Sequence, residues 1–190
     1  EEIGVPYDLV QSTIDMNEPR PPEQLTINPN GWIPVLIGDV AIYEAAAITI
    51  YLCDQYPLAG LAPRPDQMTR GLFLQTLVYF SSSIQNAFQL TYYPDRFAET
   101  SDGYSGVMQR GIRRLRETWQ VIDTQIGENQ WVLGDKFSAV DIYLFMLTTW
   151  LKDSRGHPSV QDFPSVARIA KKVLLRPATL KVYSEALQIK

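Results

Sequence analysis

The sequence predicts a mixed chain: a small α+β unit at the front and an all-α helical bundle behind it. Three observations carry this. Asn28 to Pro57 reads as a loop, two short strands and a helix in unbroken succession. Leu58 to Asp66, LAGLAPRPD, is proline- and glycine-rich without periodicity, which marks a linker. Everything after the linker has helical spacing. The expected division is residues 1–57 and 67–190.

Taken in order, Glu1 to Pro6 reads as the end of a helix, with Gly4 as a left-handed cap and Pro6 just beyond it. Tyr7 to Ile14 alternates loosely and suits a strand. Asp15 to Pro22 is a polar, proline-rich loop, and Pro22 to Ile27 a short helix. Trp32 to Ile37 is an apolar, β-branched run broken by Pro34, Gly38-Asp39 signals a turn, and Val40 to Tyr43 is a second strand. Strands this close form an antiparallel hairpin. Glu44 closes the second strand, and a helix runs from Ala45 to Gln55, stopped by Tyr56-Pro57. A strand running straight into a helix leaves backbone N–H groups beside a carboxylate, a place to bind a small zwitterion.

Beyond the linker, Phe73, Leu77, Phe80, Ile84 and Phe88 share one helical face. A polar and aromatic loop spans Tyr92 to Gly106. Met108, Ile112, Leu115, Trp119, Ile122 and Ile126 then mark an amphipathic helix ended by Gly127. Ser138 with Asp141 fits a capping box, flanked by a Phe137–Ile142 hydrophobic staple. The helix that follows, through Leu151, is apolar nearly all round and belongs at the centre of the bundle. Phe163-Pro164 opens a further helix to about Leu175, and Arg176-Pro177 breaks it and opens the last.

Composition narrows the function classes. With 190 residues, 45% hydrophobic and 20% charged, the chain can bury a real core. A net charge of −4 gives no footprint for nucleic acid. One cysteine and one histidine exclude an internal disulfide, a Cys-x-x-Cys pair and a histidine metal cluster. The longest apolar stretch, Ile142 to Leu151, is too short to span a membrane, and no signal peptide is visible. A soluble, cytoplasmic protein is expected, with no nucleic-acid, membrane or metal partner.

NPNGWIPVL followed by IYEAAAITIYL resembles the glutathione-binding half of a cytosolic glutathione transferase of bacterial type. The family pattern is Asn-Pro-x-Gly-x-Val-Pro-x-Leu, then Glu-Ser at a helix start. The resemblance covers nearly the whole chain, and Ser138-x-x-Asp141 matches the family's C-terminal capping motif. It implies a thioredoxin-like first domain with a cis Pro34, and glutathione as co-substrate held by Trp32, Ile33, Pro34, Glu44 and Ala45. Ile33 would pair its backbone with the cysteinyl part, as an added strand would. Glu44 would attract the γ-glutamyl ammonium. Ala45 replaces the family's serine, so one donor to the γ-glutamyl carboxylate is lost, an interaction worth about 1.5–3 kcal/mol. A homodimer is implied as well.

The resemblance also implies a strand ahead of Glu1 carrying the residue that activates the thiol. Further residues upstream are therefore expected, and the catalytic residue stays unknown.

Several residues keep two readings. Glu44 is either a ligand carboxylate or a helix N-terminal charge, and the resemblance favours the first. Gln85 and Asn86 sit where some bacterial transferases carry a His-Lys pair that helps bind glutathione; equally, they form a polar stripe. Tyr79, Tyr92, Tyr93, Phe97 and Tyr104 either line a pocket for an apolar second substrate or pack the bundle. Cys53 reads as a small core residue, His157 as a polar loop residue, and Arg110, Arg113, Arg114 and Arg116 as a solvated face. Two functions stand. One is a glutathione transferase of the detoxifying kind, joining the glutathione thiolate to an electrophilic apolar small molecule. The alternative is a non-catalytic, transferase-like binding or interaction protein.

Overall fold

The structure, a computed structural model, describes residues 1–12, 14 and 18–188. Its front unit is short. Helix α1 (Pro22–Ile27) starts on a proline, which supplies the helical φ where no N–H partner exists. The loop after it leads into strand β1 (Val35–Ile37), which pairs antiparallel with β2 (Ala41–Tyr43), Leu36 opposite Ile42. Helix α2 (Ala45–Gln55) follows without a connecting residue other than Glu44. All four elements match the expected ones to within three residues at each end.

The expected strand over Tyr7–Ile14 does not form among the described residues. Residues 7–12 are irregular, with Leu9 76% and Val10 82% exposed. Alternation favours a strand only where a neighbour pairs with it and one face is covered, and neither is present here. Thr13, and the Asp15–Asn17 part of the expected loop, lie outside the described residues. Gly4 does adopt the left-handed conformation, at φ 77°.

The helical part is built from α3 (Thr69–Tyr79), α4 (Gln85–Tyr92), α5 (Tyr104–Ile126), α6 (Ala139–Thr148), α7 (Pro164–Leu174) and α8 (Pro177–Gln188). The face Phe73, Leu77, Phe80, Ile84 and Phe88 is buried throughout. It is not one uninterrupted α-helix. A π-helical turn at Phe80–Ile84 joins α3 to α4, where the Ser82 hydroxyl donates back to the Val78 carbonyl at 2.7 Å. Side-chain bonding of this kind competes with the regular ladder, and single π turns concentrate at functional sites.

The centre of the bundle is Trp119 and Phe163 stacked at 6.3 Å, with Leu115, Ile122, Leu144, Leu147 and Val166 around them. Helix α6 carries the expected capping box: the Asp141 carboxylate accepts from the Ser138 N–H at 2.8 Å and its hydroxyl at 3.0 Å. It also accepts from the Val132 N–H at 2.8 Å, tying the preceding loop to the helix. The helix ends at Thr148, three residues before the expected Leu151, and just beyond it the Trp150 carbonyl accepts from the Tyr92 hydroxyl of α4. Phe137 packs edge-on to Trp131 at 5.0 Å and beneath the Arg176 guanidinium at 3.7 Å.

Three polar ties fix the front of the chain to the bundle. The linker is anchored rather than loose: Leu61 is buried and its carbonyl accepts from Ala139 N–H at 2.7 Å. Asp54 of α2 pairs with Arg70 of α3 at 2.9 Å. Arg176 donates both Nε and Nη2 to Glu2, at 2.6 and 2.8 Å. No helix among the described residues is long and apolar enough to cross a membrane.

Candidate active site

A cleft of about 710 Å³ opens between the front unit and the helices. One wall is the loop Asn28–Pro34 and the start of α2, and the other is α4 with the chain just past α6.

The loop is held by its own side chains. Asn28, 2% exposed, donates Nδ2 to the Trp32 carbonyl at 2.7 Å and accepts the Asn30 N–H at 3.0 Å. Arg20 and Gln24 both donate to the Gly31 carbonyl. Gly31 sits at φ 66°, and a Cβ there would lie 2.7 Å from the Arg20 side chain, so the turn requires glycine. This frame presents Ile33, whose peptide bond to Pro34 is cis. The Ile33 N–H and C=O have no partner among the described residues.

Glu44 is the second fixed point. It is a non-glycine residue at φ 69°, a region costly for side-chain-bearing residues and found mostly where a site demands it. No side chain caps α2, so the N-terminal N–H groups of that helix remain open beside the cleft at Ala45. Facing them, Gln85 opens α4 directly after the π turn. Its Oε1 accepts from the buried Tyr143 hydroxyl at 2.5 Å. Burial, with the charge of Glu44 adding to it, pushes the Tyr143 phenol up to about 12. Tyr143 is therefore a fixed donor, and the Gln85 amide nitrogen is left for the cleft.

The remaining lining is aromatic and cationic. Phe88, Tyr92 and Tyr93 come from α4 and its end, Trp150 and Lys152 from the segment after α6. Phe88 meets Trp150 edge-to-face at 5.6 Å, and the Tyr92 hydroxyl donates to the Trp150 carbonyl at 2.8 Å. Arg96 lies over the Trp32 and Tyr93 rings at 4.2 and 4.0 Å.

The cleft thus brings together Trp32, Ile33, Pro34, Glu44, Ala45 and Gln85. Asn86 is exposed and does not line it. Of the aromatic set, Tyr92 and Tyr93 line the cleft; Tyr79 instead points its hydroxyl at the Thr118 carbonyl at 3.3 Å, and Phe97 and Tyr104 lie away from the lining. Phe88 and Gln89 were open to discovery by helical spacing from Gln85. Trp150 and Lys152 were not, since they follow a helix end where no periodicity applies.

Cys53 is buried, and burial pushes its thiol up to about 11, which removes it as a nucleophile. His157, read from sequence as a polar loop residue, is buried at 6% exposure. The arginines of α5 do form a solvated face, Arg110 and Arg114 pairing with Glu117 and Arg116 with Asp162. Among the described residues no cluster of histidine, cysteine or carboxylate side chains has metal-binding geometry.

A hairpin feeding an uncapped helix, set across a cleft from a helical bundle, defines the class of a thioredoxin-like domain followed by an all-helical one. Residues 105–170 match the family model of the glutathione S-transferase C-terminal domain. Glutathione S-transferase F10 of Arabidopsis thaliana is 30% identical over 166 residues, 79% of this chain and 72% of its own length. A sphingomonad glutathione S-transferase, solved in complex with glutathione, is 27% identical. It superposes with a TM-score of 0.70 over 82% of this chain and 74% of its own. A glutathione transferase homologue from Sulfitobacter with bound glutathione shares the fold at a TM-score of 0.86. It is 24% identical and covers 97% of this chain and 88% of its own. The chain belongs to the glutathione S-transferase family.

Proposed function

We propose that the protein is a glutathione transferase that binds glutathione along the Ile33–Pro34 loop and joins its thiolate to an electrophile with an apolar body. The observation that carries this reading is the convergence of an unpaired Ile33 backbone, the Glu44 carboxylate and the open N-terminus of α2 on one cleft wall. A peptide with an ammonium, an amide backbone and a carboxylate finds a counterpart for each. The ammonium goes to Glu44, the cysteinyl amide to Ile33 as an added strand, and the γ-glutamyl carboxylate to the Ala45 N–H at the helix start. Trp32 and Pro34 would shape the walls of this half, and Gln85 would add a side-chain donor from α4 in place of the titratable pair of some relatives.

The reaction forms a bond from sulfur to the electrophilic carbon. The leaving group departs with its electron pair and the thiol proton passes to solvent, so the thiolate must be populated. A cytoplasmic, detoxifying role and a homodimer belong to this reading. Leu58, Met68, Leu72 and Val78 are exposed and offer apolar surface for a second copy, which light scattering would register as a doubled mass.

A second reading is a transferase-like binding protein without turnover. Ala45 favours it, because the missing hydroxyl weakens the grip on the γ-glutamyl carboxylate.

Calorimetric titration with glutathione tests the common premise. Binding by wild type and at least tenfold weaker binding by Glu44→Gln is the expected result. Equal affinity of the two would remove Glu44 from the site, and no binding by either would remove the site itself. Turnover of an activated aryl halide then separates the enzyme from the binder.

A further inference from the structure

At the aromatic end of the cleft stands a cation that the proposed glutathione contacts do not use. Gln85, beside Glu44 and Ala45, and Tyr92, beside Trp150, are seven residues apart on α4, about 10 Å along the helix axis. The cleft thus has one end built for an ammonium and another walled by Tyr92, Tyr93 and Trp150. Glu44 is the single carboxylate among its described lining residues, and Arg96 and Lys152 are its cations.

The Lys152 backbone is fixed at this rim. Its N–H donates to His157 Nδ1 at 3.2 Å, and its carbonyl accepts from Arg155 N–H at 2.9 Å. His157 is in turn locked in the core: Nε2 meets the Thr91 hydroxyl at 3.0 Å, and the ring packs edge-on to Phe88 and Tyr92 at 5.7 and 5.6 Å. The two ring nitrogens settle one tautomer, Nδ1 accepting and Nε2–H donating. The backbone that carries Lys152 is therefore pinned to the same two aromatic residues that wall the cleft. The Lys152 side chain is exposed, and its ammonium makes no ion pair or hydrogen bond among the described residues.

We propose that the second substrate is an aromatic electrophile bearing an anionic group, its ring against Tyr92, Tyr93 and Trp150 and its carboxylate or sulfonate at Lys152. Arg96, stacked over Trp32 and Tyr93, adds positive potential to the same cleft. A purely apolar substrate would gain nothing from the placement of the Lys152 ammonium. The proposal rests on the glutathione reading of the other end of the cleft. The chemistry is substitution at an activated ring carbon: the C–S bond forms, the carbon–halogen bond breaks, halide leaves with the electron pair, and the thiol proton goes to solvent.

The test uses preformed conjugates, so it does not depend on turnover. S-(2,4-dinitrophenyl)glutathione and S-(4-carboxy-2,6-dinitrophenyl)glutathione are titrated by tryptophan fluorescence, with glutathione as reference. The carboxylated conjugate should bind about threefold to tenfold tighter than the neutral one, the range of a partly solvated ion pair, and the difference should shrink in high salt. Lys152→Ala should abolish that preference while leaving affinity for glutathione unchanged, and Lys152→Arg should keep it. No preference in wild type, or a preference that survives K152A, overturns the proposal. Failure of glutathione and both conjugates to bind overturns the glutathione reading instead.

Discussion

The Tyr143 hydroxyl donates to Gln85 Oε1 at 2.5 Å, a bond between the central helix of the bundle and the first residue of α4 at the cleft. Tyr143 is buried, and burial together with Glu44 keeps its phenol protonated to about 12, so the bond has one polarity at every working pH. The Gln85 amide is thereby oriented with its NH₂ toward the cleft. Tyr143→Phe frees it. Stability should fall by about 0.5–1.5 kcal/mol, the usual net value of one such bond, and glutathione affinity by a few-fold. Urea denaturation and calorimetry read the two effects separately. An unchanged glutathione affinity would mean that Gln85 does not touch the ligand.

The cap of α6 should be the costliest single carboxylate to remove. Asp141 is 0% exposed and accepts three hydrogen bonds, two from Ser138 and one from Val132. Asp141→Ala orphans the buried Ser138 N–H and the half-buried Val132 N–H and opens the loop before the helix. A loss of about 3–5 kcal/mol is expected, above the ordinary range for a cap because two backbone donors lose their partner at once. A thermal shift of only a degree or two in D141A would contradict this.

How much of this was legible in the sequence depends on whether a signal was local. The NPNGW loop, the hairpin, the start of α2 at Ala45 and the Ser138–Asp141 box announce themselves through turn chemistry and capping. Each lies within three residues of its place. The strand expected at Tyr7–Ile14 failed because alternation says nothing about whether a partner strand is alongside. The π turn at Phe80–Ile84 left no mark, since its residues keep helical spacing, yet it sets the phase in which Gln85 meets Tyr143. His157 is the loop residue that Gly-His-Pro announces, but only the tertiary structure shows its ring buried against Phe88, Tyr92 and Thr91.

Acid sensitivity follows from that burial. Burial holds the His157 imidazole below its usual range, with the Arg155 charge acting in the same direction. The unfolded chain takes up this proton near the ordinary value of about 6.5, and the folded chain only at lower pH. Between the two values the unfolded state binds more protons, so stability falls as pH drops below about 6.5 and levels off once the folded imidazole is charged. His157 is the chain's one histidine, and comparison with a variant lacking it isolates its share of the urea midpoints between pH 7.5 and 5.5. Wild type should lose stability across that window, and His157→Asn should start lower with a flatter profile. Parallel slopes would show that the imidazole is not the titrating group.

Gly111 decides how closely α5 approaches the helix that carries the cleft wall. A Cβ built there would lie 2.7 Å from Thr91 Cγ2 and 2.8 Å from Leu90 Cβ, with the Ala87 carbonyl oxygen at 3.2 Å. Two of these neighbours are β-branched or backbone atoms that cannot swing away, and the third is a Cβ fixed by its helix. Gly111→Ala gains helix propensity of about 0.8–1.0 kcal/mol in α5. Forcing α4 and α5 apart costs about 1–3 kcal/mol or more, as overpacking of a buried contact does, so the net change is destabilising. The displaced residues include Thr91, which holds His157 and through it the Lys152 backbone. G111A should therefore weaken binding at the aromatic end of the cleft more than glutathione binding at the Glu44 end. Chemical denaturation gives the first effect and the ratio of conjugate to glutathione affinities the second. A variant as stable as wild type, with that ratio intact, would mean the helices can separate at no cost and do not transmit the strain to the site.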